Sequence, residues 1–488
     1  MKKLVSILLT ILILLCAFSS CGKPGEEEED TSFSFAQDDN TSNLTLAYTK
    51  SDSLNPYEAE SLINLQMSAL VFDGFFKLDS SYEPIPCIAK EASINGLYVN
   101  ITLDNIFYSD GSRLTAHDAE TSFYAAKESD YFAPRLENFR DFYITSENVV
   151  MLSMEKADPF AMSCLDFPIV KSGVPEEELP IGSGRYKYAR DGENLYLVVN
   201  TNKGNFNPAI KTISLEAVHD TAYLDSSLVV GNTAIYYNDL SGGEYNRINA
   251  TTVETGINSI VYLGFNPDTY FFETKEVRQA VSLAIDRSEA ASTAFQSHAR
   301  GAALPFNPDW YAISSLNFSG DAETERAKAL IDESGIEPKS GEVVILYNYE
   351  NGFKKDLADY VESCLEQLGF VVRTFGVEAD RVRDELRDRN YDIYIGECRL
   401  IQNMDLSPLF TGSASYGMAE DSESHAMYQT FIDGNCEIID FINTFNSDMP
   451  FVPVCFRNAV VSYTRAIYGD FAPCDCDIFY DIESWSIR

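Results

Sequence analysis

Along residues 342–398 the apolar positions change period in a way that dictates an architecture. Residues 343–349 are β-branched and aromatic, the composition of a strand. The next stretch places Leu357, Val361, Cys364, Leu365 and Leu368 on one helical face and stops at Gly369. Residues 370–375 read as a second strand, 379–389 as a charged helix and 391–396 as a third strand. Right-handed crossovers turn this β-α-β-α-β order into a parallel sheet covered by helices. Ligands are then expected beyond the carboxyl ends of the strands, so the residues just after Gly396 gain weight.

Elsewhere the pattern is shorter-ranged. Leu44–Thr49 alternates like an opening strand, which Pro56 ends. Leu62, Leu65, Gln66, Ala69 and Leu70 space as a helix, and residues 71–78 read as two short strands turned at Asp73-Gly74. Thr115 and Asp118 have the spacing of an N-cap and its reciprocal third-position carboxylate, so a helix is predicted to start at Ala116. Val277, Ala280, Val281, Ala284 and Ile285 form a helical stripe, with Arg278 and Arg287 read as partners of nearby acids.

The chain has 488 residues, 45% of them apolar and 23% charged, enough at roughly 100–200 residues per domain for two to four cored domains. Lys and Arg number 36 against 75 Asp and Glu, a formal charge of −39 that repels nucleic acid and anionic membrane alike. The aromatic share of 12% excludes a disordered acidic chain over most of the length.

Lys2-Lys3 precede an apolar run at 4–18, broken only by Ser6 and Thr10. As a helix it rises about 22 Å against a bilayer core of roughly 30 Å, which suits a signal segment better than a span. The run ends in Phe18-Ser19-Ser20-Cys21, which resembles the lipobox of bacterial lipoproteins, with Phe18 in place of the usual Leu. The resemblance implies a signal peptide at 1–20, a lipidated Cys21 and an acidic tether at 21–43; a plain cleaved signal is the alternative. Of the body cysteines, Cys164, Cys364, Cys398 and Cys455 sit in apolar or periodic segments and read as small buried hydrophobes. Cys474-Asp475-Cys476 is weighed as a metal clamp against a loop. The chain has four histidines and none beside this segment, so a loop is expected, and no metal or cofactor.

Several blocks occur in a telling order: Asn55-Pro56, Glu83-Pro84-Ile85-Pro86 with Ala89, Phe107-Tyr108-Ser109-Asp110-Gly111-Ser112-Arg113-Leu114-Thr115-Ala116-His117-Asp118, Ile181-Gly182-Ser183-Gly184-Arg185-Tyr186, Leu263-Gly264-Phe265-Asn266, Val277-Arg278-Gln279-Ala280 with Ala284-Ile285-Asp286-Arg287, Tyr391-Asp392 and Pro450-Phe451-Val452-Pro453. Their order and spacing over residues 44–488 resemble the family 5 extracellular solute-binding proteins, the peptide- and nickel-binding receptors of ABC importers. The resemblance implies an α/β, two-lobed periplasmic-binding-protein-like fold (type II, cluster C) with an extra domain inserted in lobe one. Lobe one would comprise 44–60, 179–262 and 456–488, the inserted domain 61–178 and lobe two 263–455. It also implies a monomer, held on the extracytoplasmic face of the cell membrane only by its lipid, that captures a peptide or other small solute and delivers it to an ABC permease.

In peptide-binding members of that family, the strand matching 391–396 leads into a tryptophan and then an aspartate that pairs with the peptide amino terminus. Here Glu397-Cys398-Arg399-Leu400 follows; the tryptophan is absent and Leu400 stands near the aspartate position. Glu397 is the candidate replacement anchor and Arg399 a fork for a carboxylate or other anion, with Cys398 between them; a solvated rim pair is the alternative. Asn55, Tyr57, Tyr236, Tyr237, Asn266 and Arg457 complete the candidate contacts, against the structural role such residues often play near strand ends. Asp405 is read as a cap before Ser407-Pro408. The sequence has no Gly-x-Ser-x-Gly elbow, His-Glu-x-x-His, Walker loop or EF-hand loop, so a binding protein is expected and not an enzyme. The rivals are an anchored hydrolase and a sensory or cell-wall-contact lipoprotein that kept the fold without transport.

Overall fold

The computed structural model describes residues 44–488 apart from 176, 220, 317 and 412–419; the signal run, Cys21 and the tether lie outside the described residues. Buried apolar side chains gather into three cores, each against its own sheet. In the first, Leu44–Thr49 pairs in parallel with Thr212–Val218, which continues antiparallel through Asn194–Val199 to Tyr186–Asp191. Met67, Leu70 and Val71 of the helix Leu62–Val71 close it from one side, and Ile478, Phe479 and Trp485 from the far end of the chain also enter it.

The second core lies under an antiparallel sheet ordered Ala89–Asn95, Tyr98–Leu103, Val149–Met154, Phe139–Ser146. The helix Ala116–Glu128 packs Ala119, Phe123 and Ala126 into it. This helix starts where expected: the Thr115 side chain accepts from the Asp118 N–H, while the Asp118 carboxylate accepts from the Thr115 N–H, a reciprocal pair that satisfies two otherwise orphaned donors.

The third core is built on a seven-stranded mixed sheet. Glu342–Asn348 pairs in parallel with Val371–Val377 and with Ile393–Arg399, as the β-α-β-α-β reading requires. Ile393–Arg399 then runs antiparallel to the long strand Thr251–Phe265, itself antiparallel to Phe451–Tyr463. Both long strands pass from the first core to the third: Val461 is buried in the first, whereas Ile260, Val261, Val454 and Phe456 are buried in the third. Their register breaks between Gly256 and Ile260. Among the described residues no helix is long and apolar enough to cross a membrane.

Two local readings change. Residues 71–78 are not a hairpin: Leu62–Val71 is helical to its last residue, and only Phe76–Leu78 is a strand, paired with Pro84–Pro86. Asp73 is buried instead of forming a turn, accepting from Ser183 Oγ and holding Lys77 and Lys203. A Cβ on Gly74 would sit 2.6 Å from the Asp166 carbonyl oxygen, so the glycine permits close packing. The buried Arg287 is held by the carbonyls of Ser282, Ile285 and Pro453, and no acid of the described residues is paired with it. Arg278 does meet Asp448, at 3.4 Å, but bonds mainly to carbonyls at 272, 273, 448 and 449. All eight body cysteines are free thiols; Cys164, Cys364 and Cys455 are buried as expected, and Cys398 partly so.

The Ile181-Gly182-Ser183-Gly184 turn serves packing. The Gly184 N–H donates to the Val71 carbonyl at 2.9 Å, and a Cβ on Gly184 would lie 2.4 Å from the Val71 carbonyl carbon. Gly184→Ala should therefore lower stability by about 1–3 kcal/mol through forced displacement of the helix end, read by chemical denaturation. Unchanged stability would mean the turn yields freely.

Asp158 joins the second core to the third. Its carboxylate accepts from the Phe160 N–H and from Asn403 Nδ2, each at 2.7 Å, and the Phe160 ring packs on Trp310, Tyr311 and Phe431. Burial, aided by the Asp405 charge, outweighs the two donors and pushes the carboxyl up to about 6. A raised folded value favours the protonated form, so this group's stability contribution is complete below about pH 4 and is lost as pH rises through about 6. Asp158→Asn should raise neutral-pH stability by up to about 3 kcal/mol, and the gain should vanish near pH 4 in paired thermal melts.

Candidate functional site

The three cores meet around a cavity of about 750 Å³. One wall is the carboxyl end of Ile393–Arg399. Strand alternation turns Glu397 and Arg399 toward the cavity, while Cys398 between them packs against the third core, where burial pushes its thiol up to about 11. Burial alone would raise the Glu397 carboxyl. Lys354 Nζ at 3.0 Å and the Arg457 guanidinium outweigh that and hold it down at about 2, and Ser259 Oγ donates to it at 2.9 Å. Lys354 reaches this point from the first turn of the helix Gly352–Gln367, whose N-cap is Asn351. Arg457 comes from the long strand Phe451–Tyr463 and also donates to the Asp239 carbonyl.

Arg399 is likewise partnered. Its guanidinium meets Asp475 at 2.5 Å, and Asp475, 5% exposed at its side chain, also accepts from Tyr82 OH at 3.1 Å and the Asn258 N–H at 3.0 Å. Asn258 lies in the register break of the long strands. Tyr82 holds a left-handed backbone, φ 61°, in the loop between Phe76–Leu78 and Pro84–Pro86. On the opposite wall Arg135 forms a double contact with Asp166, at 2.7 and 2.8 Å, and lies beside the rings of Tyr131 and Phe132. Asp130 and Asp239 also line the cavity, and neither carboxylate has a cationic partner among the described residues.

The structure thus brings Glu397, Arg399, Tyr237 and Arg457 to one cavity, and Tyr236 to a cavity beside it. Neither Glu397 nor Arg399 is a bare ion awaiting a counter-charge. Asn55, Tyr57, Asn266 and Cys398 are not among the lining residues. Asn55 Oδ1 accepts from the Tyr57 N–H, and its amide donates to Glu58. Tyr57 OH donates to the Pro168 carbonyl, with its ring edge-on to Phe132. Asn266 donates to the Tyr391 carbonyl at 2.8 Å. Asp405 accepts from the Ser407 N–H at 2.9 Å and from Tyr428 OH, a structural role one position ahead of the N-cap, Leu406, of the short helix Ser407–Phe410. Cys474 and Cys476 lie in a loop in which Cys474 and Asp477 bridge, and among the described residues no cluster of three or more His, Cys, Asp or Glu is placed to hold a metal.

Sequence reasoning missed Lys354, Arg135 and Asp166, and weighed Asp475 only as part of a metal clamp or loop, not as the partner of Arg399. Lys354 carried a usable signal, since it begins the helix that follows the first strand of the parallel sheet, at the edge where ligands were expected. The others are far from their partners in sequence and leave no periodic trace.

The family description "Bacterial extracellular solute-binding proteins, family 5 Middle" matches residues 83–413. An oligopeptide-binding protein of Bacillus subtilis is 23% identical over 327 residues, which cover 58% of this chain and 59% of that protein. The chain therefore spans little more than half the length of that curated relative. Among solved structures, an ABC transporter substrate binding protein from Listeria monocytogenes superposes with a TM-score of 0.69 at 19% identity, covering 92% of this chain and 99% of the other. The NikZ protein of Campylobacter jejuni in complex with Ni(L-His) superposes with a TM-score of 0.60 at 18% identity, covering 91% and 99%. These likenesses establish the α/β, two-lobed periplasmic-binding-protein-like fold. With its match running from residue 83 to residue 413, the chain belongs to the bacterial extracellular solute-binding proteins, family 5.

Proposed function

We propose that this chain is the capture component of an ABC importer, taking a small solute of the peptide class into the cavity where the three cores meet and presenting it to a membrane permease. The observation that carries this reading is the cavity wall itself: its side chains are charged, but most are neutralised by one another. Such a wall recognises polar groups by fixed dipoles, with Glu397 kept ionised by Lys354 and Arg457. A receptor without turnover fits this arrangement, as does a relative named as an oligopeptide-binding protein.

In this reading 44–60, 179–262 and 456–488 form lobe one, 61–178 the inserted domain and 263–455 lobe two, with Met67, Leu70 and Val71 of the inserted stretch packed into the first core. The paired long strands, broken in register at 256–260, are the hinge. Solute binding shifts the open and closed populations by its differential affinity for them. A lipid on Cys21 would moor the receptor at the outer membrane face and raise its concentration near the permease.

Mass spectrometry of whatever co-purifies with the protein, released by denaturation, identifies the solute; calorimetry with that compound should then give stoichiometric binding with no product. Arg399→Ala should weaken this binding at least tenfold, about 1.4 kcal/mol, because it removes a wall donor and leaves Asp475 buried without its cation. Equal affinity would remove Arg399 from the site. Consumption of the compound would overturn the receptor reading.

A further inference from the structure

Two cations of the cavity wall share one carboxylate. Lys354 Nζ meets one oxygen of Glu397 at 3.0 Å, and Arg457 Nε donates to the other. Among the described residues neither cation has a second acidic partner. Their side chains are 19% and 8% exposed, so water screens the surplus positive charge poorly. Donors remain open as well. The Lys354 ammonium has three N–H groups and one acceptor, while Arg457 commits Nε to Glu397 and Nη1 to the Asp239 carbonyl, which leaves Nη2.

The residue that takes this last bond carries the opposite surplus. Asp239 lines the same cavity, and its carboxylate pairs with no cation among the described residues. Its Oδ1 accepts from the Ser241 N–H at 2.9 Å, which leaves Oδ2 without a donor. The turn is anchored from behind: Asn238 Oδ1 accepts from the Leu240 N–H, and Leu240, buried in the third core, holds a left-handed backbone of φ 57°. Asp239 thus touches Arg457 through its carbonyl while its carboxylate stays open.

The rest of the wall offers no such arrangement. Arg135 is matched by Asp166, Arg399 by Asp475 and Asp477 by Arg185. Lys77 shares Asp73 with Lys203, but the other lone carboxylate, Asp130, is exposed and bonds to no cation among the described residues. At Glu397 and Asp239, then, two cations and two carboxylates sum to zero without being paired off. An anion alone would gain Lys354 and Arg457 and be repelled by both carboxylates; a cation alone would meet the reverse. A group carrying both charges close together removes both surpluses, its carboxylate on Lys354 and Arg457 Nη2 and its ammonium on Asp239.

We propose that this corner of the cavity is a subsite for a zwitterionic α-amino-acid head group, with ammonium and carboxylate on one carbon. The solute is then a small peptide joined through a side-chain carboxyl, because an ordinary α-linked peptide carries its terminal charges at opposite ends. This inference rests on the receptor reading and narrows its substrate class.

The test uses the full chain freed of co-purified solute and two isomers of equal composition and charge, γ-glutamylglycine and α-glutamylglycine. Only the first has both charges on one carbon. Calorimetry should show it binding tighter by roughly tenfold or more, and acetylation of its amine should abolish the advantage. Asp239→Asn, which keeps the Ser241 bond, and Lys354→Gln, which leaves Glu397 its arginine, should each bring the isomers to within about threefold, with melting curves establishing that both variants are folded. Equal binding of the isomers, or preference for the α-linked one, would overturn the head-group inference and leave the receptor standing. Binding of neither would overturn it too, and a solute recovered from the purified protein would still uphold the receptor. Consumption of either isomer would overturn the receptor reading itself.

Discussion

A single buried carboxylate ties the molecule together. Asp475 bonds at once to Arg399 at the end of the parallel sheet, to Tyr82 in a loop of the segment that carries the second core, and to the backbone of Asn258 where the two long strands lose register. A carboxylate this buried is tolerated only when its oxygens are satisfied, so the three partners must be in place together. Tyr82 accepts a left-handed backbone conformation that a bulky side chain seldom adopts, which indicates how firmly its neighbours hold it there. The position of Arg399 on the cavity wall is thus decided by groups drawn from all parts of the chain.

The cavity also stands apart from the surface around it electrically. The chain carries −39 overall, yet the larger cavity is lined by nearly as many cations as acids, and most of them are paired. Salt and long-range repulsion act mainly on the exposed surface, whereas partly buried pairs are screened far less. Recognition inside the cavity is therefore insulated from the general acidity of the molecule.

Much of the architecture was legible because its signals are local. The β-α-β-α-β order at 342–398, the reciprocal cap at Thr115 and Asp118, and the opening strand at 44–49 all express a period or a spacing within a few residues. The segment after Val71 misled for the converse reason. Asp-Gly is a strong turn signal, but here Asp73 is the buried partner of Lys77, Lys203 and Ser183, and the lysine at 203 lies far along the chain. The cavity was half legible: the strand-end rule led to Glu397 and Arg399, but pairs such as Arg135 with Asp166 or Arg399 with Asp475 are separated by 31 and 76 positions and carry no local mark. Asn55, Tyr57 and Asn266 were singled out as polar residues near strand ends, and it is backbone groups that they satisfy.

The first core unites the two ends of the described chain: Leu44 and Leu46 at its start share it with Ile478, Ile482 and Trp485 at its finish. That core has no complete apolar interior until the last stretch of polypeptide has been made, and a closure spanning so much sequence is slow. Leu44 and Leu46 therefore wait, with their apolar faces uncovered, for a partner more than four hundred positions away, and whatever folds in between does so before this core is sealed.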